Sequence, residues 1–195
     1  MESDISPLKI FSDWYNTHLS LPEFGEPSAM ALSTSSPGGE VSSRIVLLKE
    51  FCEKNGFVFY TNYDSRKARQ LEDNSRAALL FWWPRTGRQV RVEGNVGRVS
   101  GEESDRYFSS RPEESRLGAW ASEQSREIAS GKVLEERIMR FRKEFRGIIP
   151  RPPHWGGYRL APERIEFWQE GEHRLHSRLL YIREGEGWTF KRLAP

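Results

Sequence analysis

Two apolar runs, Ala77 to Trp83 and Arg88 to Val99, flank the tetrapeptide Pro84-Arg85-Thr86-Gly87. In the second run Val90 and Val92 fall on one side, while Gln89, Arg91 and Glu93 fall on the other. That period of two predicts a strand with one buried face, and the tetrapeptide predicts the turn that folds it back on its neighbour. The same grammar recurs. Ala29 to Thr34 and Val41 to Lys49 flank Ser36-Pro37-Gly38-Gly39, and Asn55-Gly56 joins the Arg44-to-Phe51 run to Phe57-Val58-Phe59-Tyr60-Thr61 as the next antiparallel pair. Ile165 to Trp168 adds a further strand, followed by turn chemistry at Glu170-Gly171.

Helices interrupt these hairpins without alternating with every strand. Ser6 and Pro7 open one, with Leu8, Phe11, Tyr15 and Leu19 at helical spacing, and a loop follows from Leu21 to Pro27. Asp64 to Leu71 forms another. Ser100 and Glu103 make a capping box for a third that runs toward Ser110 and stops at Pro112, leaving Ser115 in a loop. Ser130 caps a fourth that carries Leu134, Ile138, Phe141 and Phe145. The pattern predicts an α+β, mainly β chain built on a β-barrel with peripheral helices. No glycine-rich strand-to-helix turn supports a doubly wound nucleotide fold. With 195 residues and nothing resembling a long linker, the expected organisation is a single domain over 1–195, with an N-terminal helix and loop at 1–27 and the barrel at 28–195.

Charge narrows the possible partners. Thirty Lys and Arg against 28 Asp and Glu is too even for a dedicated nucleic-acid binder. The single Cys52 rules out an internal disulfide and any multi-cysteine metal site, and no metal is expected. No apolar run reaches membrane-spanning length and no charged-then-apolar leader is present, which predicts a cytoplasmic protein without a membrane partner.

Within this frame the cations cluster. Arg44 and Lys49 close the ends of one apolar strand, about 16 Å apart if fully extended; strict alternation puts them on opposite faces unless a bulge intervenes. Asp64-Ser65-Arg66-Lys67 places two cations in a helix's first turn, where they oppose the helix dipole. A bound phosphate would reverse that sign. Tyr107 and Arg111 lie four apart on a helix, with Ser115 beyond, and together suit a second phosphate. On an extended segment Arg174, His176 and Arg178 would share a face while Leu175 points away. Each group also fits a solvated strand or helix end. Taken together, two phosphate-sized sites among many aromatics suggest two flat, phosphorylated ligands lying against each other.

Five ordered stretches sharpen this reading: Leu117-Gly118-Ala119-Trp120-Ala121-Ser122, Pro153-His154-Trp155-Gly156-Gly157, Ile165-Glu166-Phe167-Trp168-Gln169, Arg174-Leu175-His176 and Arg192-Leu193-Ala194-Pro195. They closely resemble the pyridoxine/pyridoxamine 5'-phosphate oxidases, and the match runs in order from about Met30 to Pro195. The resemblance implies an FMN-binding split β-barrel working as a homodimer, with each flavin held between subunits. It assigns FMN to Arg44, Ile45, Val46, Leu47, Leu48, Lys49, Tyr60, Thr61, Arg66, Lys67, Gln89, Gln124, Ser125, Trp168 and Arg178. It assigns the vitamin substrate to Lys49, Tyr107, Arg111, Ser115, Arg174, Leu175 and His176, with Arg174 and His176 nearest the chemistry. The implied reaction oxidises pyridoxamine or pyridoxine 5'-phosphate to pyridoxal 5'-phosphate, with dioxygen as acceptor and hydrogen peroxide as product.

Two departures accompany the match. Relatives commonly have Arg-Leu-His-Asp-Arg where this chain has Ser177, so a carboxylate that could brace a neighbouring cation is missing. The arginine and tyrosine that some relatives carry ahead of the first helix have no counterpart before Ser6. Other readings of the same barrel are a phenazine-pathway oxidase, a haem or deazaflavin binder, and a non-catalytic barrel that stacks single-stranded nucleic acid on its aromatics.

Overall fold

The computed structural model describes residues 6–21, 26–54 and 56–195. Nine strands form one antiparallel sheet: β1 (Ala29–Ser35), β2 (Val41–Leu47), β3 (Glu50–Cys52), β4 (Gly56–Asn62), β5 (Arg76–Trp83), β6 (Arg88–Arg98), β7 (Trp155–Gln169), β8 (Ser177–Glu184) and β9 (Gly187–Leu193). Their order is β2-β1-β5-β6-β7-β4-β3, and β8 and β9 continue from the other part of the long β7. Among the described residues five α-helices accompany the sheet: α1 (Pro7–Leu19), α2 (Arg66–Asp73), α3 (Gly101–Ser110), α4 (Glu113–Ala121) and α5 (Lys132–Phe145).

Alternation decides which side chains enter the barrel. Val90, Val92, Ile165 and Phe167 are at most 1% exposed, whereas Arg91 and Trp168, their neighbours along the strands, point outward. At its bend β7 gains a residue against β6: Glu93 pairs with Arg164 and Gly94 with Pro162, so Glu163 bulges out. α1 plugs one opening of the barrel. Ser6 Oγ accepts from the Leu8 N–H at 3.2 Å, and the fully buried Phe11 meets the rings of Phe51, Phe57, Phe81 and Trp83 at 4.8–5.9 Å. Burial of such a ring contributes about 1.5–3 kcal/mol. A second cluster of Phe108, Leu117, Ile149 and Trp155 seats α3, α4 and α5 on the sheet.

Several expectations need correction. The run from Arg44 to Phe51 is two strands. β2 pairs only with β1 and ends at Leu47; after a break at Leu48-Lys49, β3 pairs with β4. Leu48 N–H donates to the Ser28 carbonyl and Lys49 N–H to that of Val58, so the chain changes partners at this point. The Asp64-to-Leu71 helix is α2, starting two residues later behind the Ser65 cap. Ser130 is not the cap of α5; Gly131 holds that position without a side-chain bond. Ser115 lies inside α4, because Pro112 both follows α3 and serves as the N-cap of the next helix. Ser100 does cap α3 through the Glu103 N–H at 3.1 Å, but the Glu103 carboxylate is engaged by Arg159 Nη2 at 2.8 and 2.9 Å. Asn55 and residues 22–25 of the expected loop lie outside the described residues.

Candidate active site

A cleft of about 760 Å³ opens where β2 and β4 face the starts and ends of α2, α3 and α4. Its volume is typical of small-molecule and cofactor sites, which run to about 300–1,000 Å³. Arg44, Ile45, Val46, Leu47 and Lys49 line it together, as do Tyr60, Thr61 and Lys67, with Tyr107, Arg111 and Ser115 on the helical side and Gln124 between. Arg44 and Lys49 reach the same cleft without a bulge, because β2 breaks between them.

Lys67 is the most unusual side chain here. It is 8% exposed, and its Nζ donates to Thr61 Oγ1 at 3.0 Å, Ser65 Oγ at 3.3 Å and Gln124 Oε1 at 2.7 Å. These partners are all neutral, so no carboxylate offsets the buried charge. Burial first, and Arg44 second, push its ammonium down to about 8. Arg44 is held by the Leu32 carbonyl, Thr34 Oγ1 and Ser42 Oγ, again neutral, and burial together with Arg66 lowers its pKa. The first N–H groups of α2 face the same region, and the Arg66 N–H donates to Ser125 Oγ at 3.4 Å. Arg44 and Lys67 thus meet at a helix start, with Arg66 nearby 3.9 Å from the Glu40 carboxylate, and such an arrangement suits an anion.

A second cluster surrounds Arg111. Its guanidinium lies 4.6 Å over the Trp155 ring, and its buried Nη1 has no hydrogen-bond partner. Burial lowers its pKa, opposed by Tyr107. A buried, unpaired guanidinium nitrogen is costly, and an oxyanion is its natural complement. Beside it Tyr60, Tyr107 and Trp155 stand nearly parallel, with Tyr60 and Tyr107 centroids 4.0 Å apart. Burial, with Glu103 and Glu50 adding to it, pushes the Tyr60 phenol up to about 12, so it stays protonated at neutral pH. This ring stack depends on Gly157, which pairs with Tyr60 across the strands; a Cβ there would come within 2.8 Å of Tyr60 Cε1.

The remaining expected residues form a different group. Gln89, Trp168 and Arg178 sit in one row across β6, β7 and β8, paired directly in register. None lines the cleft, nor do Leu48, Arg66, Ser125, Arg174, Leu175 or His176. Leu48 is buried in the core instead. The expected extended segment from Arg174 to Arg178 is a turn: Glu172–Arg174 is 3-10, His173 and Arg174 adopt positive φ of 54° and 65°, and β8 begins only at Ser177. His176 is drawn back, accepting from the Gly171 N–H at 3.3 Å with its ring 4.5 Å from Trp168, while Arg174 and Leu175 remain exposed. Arg178 donates through Nε to Glu166 at 2.8 Å and through Nη1 to the Ala194 carbonyl at 2.9 Å.

Sequence reasoning missed Asn62, Pro112, Gly118, Ala119 and Ser122 as lining residues. A signal was present. Ser115, Gly118, Ala119 and Ser122 recur at helical spacing, a stripe of small residues that lets α4 approach whatever fills the cleft.

The curled antiparallel sheet, with helices at its rim and a cation-lined cleft on one side, defines a split β-barrel enzyme. The pyridoxamine 5'-phosphate oxidase family model matches residues 21–144, and the pyridoxine 5'-phosphate oxidase C-terminal dimerisation region matches residues 155–195. Curated relatives include the pyridoxine/pyridoxamine 5'-phosphate oxidases of Rubrobacter xylanophilus, 55% identical over 99% of this chain and 88% of that one, and of Gloeothece citriformis, 54% identical over 100% and 91%. Among solved structures, PhzG from Burkholderia lata in complex with tetrahydrophenazine-1-carboxylic acid superimposes with a TM-score of 0.90 at 32% identity, covering 97% of this chain and 93% of that one. A pyridoxamine 5'-phosphate oxidase-related, FMN binding protein from Nostoc punctiforme shares the fold, with a TM-score of 0.77 at 18% identity over 98% of this chain and 100% of that one. This chain belongs to the pyridoxamine 5'-phosphate oxidase family.

Proposed function

We propose that the protein oxidises pyridoxamine or pyridoxine 5'-phosphate to pyridoxal 5'-phosphate with FMN as its cofactor. What carries this reading is that one cleft holds two cation clusters without an anionic partner among the described residues, Lys67 with Arg44 and Arg111 beside Tyr107. The first suits the phosphate of FMN, with Thr61, Gln124, Ser125 and Arg66 around it. The second suits the substrate phosphate, with Tyr107 and Ser115 as hydroxyl donors and Lys49 between. A flavin held by these residues would supply two-electron redox chemistry, with a hydride equivalent leaving the substrate and dioxygen reduced to hydrogen peroxide.

The chain's own residues bind, orient and shield. Ile45, Val46 and Leu47 give the ring system an edge of backbone and apolar surface, and the Tyr60–Tyr107–Trp155 stack closes the wall behind the substrate. Lys49, between the two clusters, would stabilise negative charge developing on a reduced ring. Arg174, His176, Trp168, Gln89 and Arg178 belong in this reading to the site of a second copy, so that a homodimer shares two sites. His176 accepts a backbone N–H through Nδ1, which leaves Nε2 to face a substrate as a positioning group first and a proton carrier second.

The Burkholderia lata likeness gives a phenazine-type substrate as the second reading, and the hydroxyl-and-guanidinium set of Tyr107, Arg111 and Ser115 favours the phosphorylated one. The test is optical. Purified protein should be yellow and should bleach when pyridoxamine 5'-phosphate is added without oxygen. Arg111→Ala and Arg174→Ala should each raise the substrate KM with flavin still bound. Colourless protein that binds oligonucleotides, or unchanged kinetics in both variants, would overturn the assignment.

A further inference from the structure

Glu166 is a buried carboxylate to which the reading above gives no role. It is 4% exposed on the outer face of β7, between two guanidiniums: Oε2 accepts from Arg91 Nη2 at 2.5 Å and Oε1 from Arg178 Nε at 2.8 Å. In register it pairs with Arg91 on β6 and Leu180 on β8, two residues along β7 from the row of Gln89, Trp168 and Arg178 and so on the same face. The two cations are themselves partly exposed, 43% and 26%, so the fixed point of the triad is the carboxylate. Arg178 is further held by the Ala194 carbonyl at the end of the chain. Its Nε and Nη1 are thereby committed and its plane is set, and Nη2 is left to meet a ligand. Glu166 also raises the Arg178 pKa through that hydrogen bond. A carboxylate on the neighbouring strand thus braces Arg178 in this chain, where residue 177 is a serine.

We infer that Glu166 is a positioning residue for the flavin site, acting through Arg178 and balanced on its other side by Arg91. The inference rests on the reading that Arg178 contacts flavin. It matters because an arginine on an outer sheet face has many rotamers, and one whose plane is fixed beforehand loses less freedom when the cofactor binds.

The experiment is a double-mutant cycle read as the flavin dissociation constant, measured by fluorescence on serial dilution of the holoenzyme. Glu166→Gln should weaken flavin binding about tenfold, the scale of one charge-assisted hydrogen bond, while leaving the substrate KM at saturating flavin unchanged. In an Arg178→Ala background the same substitution should add nothing further. An equal loss in both backgrounds would mean that Glu166 merely supports the sheet, and the inference would fall; so would it if Glu166→Gln left flavin affinity intact while Arg178→Ala weakened it. An Arg178→Ala protein with native affinity would instead remove Arg178 from the flavin site, which overturns that part of the proposed function and the inference with it. Should Glu166→Gln fail to fold, Glu166→Asp keeps the charge but withdraws it by one methylene, and the cycle is decided on that variant by the same criteria.

Discussion

Lys67 shows how a single residue can be unfavourable by itself and still have a clear purpose. Two features work against it: a cation in the first turn of α2 opposes the helix dipole, and burial among neutral oxygens weakens its charged form. Its pKa is lowered, so between about pH 8 and the ordinary lysine value the folded protein binds fewer protons than the unfolded chain. Without a ligand, stability should therefore rise as pH climbs through that window. A bound phosphate has the opposite preference, since it needs the ammonium. Flavin affinity should then fall above about pH 8, by at most about tenfold per pH unit for one proton, and Lys67→Met should bind more weakly and lose that slope. Flavin titrations across the window check both, and an affinity that stays flat with pH in the unsubstituted protein would contradict the role given to this side chain.

At the level of elements, the sheet and its helices explain what a sequence can and cannot disclose. Gly157 on β7 leaves room for the Tyr60 ring to lie across the strand, and its φ is not positive, so the constraint is steric. Gly157→Ala should cost about 1–3 kcal/mol of stability and displace Tyr60 from Tyr107, seen as a lower denaturation midpoint and a changed tyrosine signal. The hairpins were legible because period-two alternation at Gln89-Val90-Arg91-Val92-Glu93 and Gly87 in a left-handed turn are local signals. α4 was not, because Pro112 reads as a terminator while also serving as the following helix's N-cap. The turn at His173 and Arg174 was hidden for another reason: left-handed backbone at non-glycine residues is uncommon, and neither a lone histidine nor an arginine announces it. That Arg44, Lys49, Lys67 and Arg111 belong to candidate anion sites could be read from sequence, and they do line one cleft. That Glu166 would reach Arg178 could not, since their bond depends on the register between β7 and β8.

For the whole molecule, the division of the expected residues is the decisive feature. One set lines the cleft; the other, Gln89, Trp168, Arg174, His176 and Arg178, stands apart from it on β6, β7, β8 and the turn between the last two. The outer sheet face also exposes Ile45, Leu80 and Trp82, at 65%, 37% and 49%, and Ile45 and Leu80 are both paired with Ala31 in one row across β2, β1 and β5. Apolar groups of this size on a sheet face are what a second copy would cover, in keeping with the proposed shared sites. Each chain then carries two half-sites that never serve each other. An Arg111→Ala chain and an Arg174→Ala/Arg178→Ala chain, each nearly silent alone when substrate is held well below its raised KM, should regain turnover at that substrate level when unfolded together and refolded as a mixture. Random pairing in equal amounts would restore about a quarter of the sites, because every hybrid has one intact and one doubly damaged centre. Two defective alleles would thus rescue one another through assembly alone, and a mixture as silent as its parents would mean that each chain works by itself.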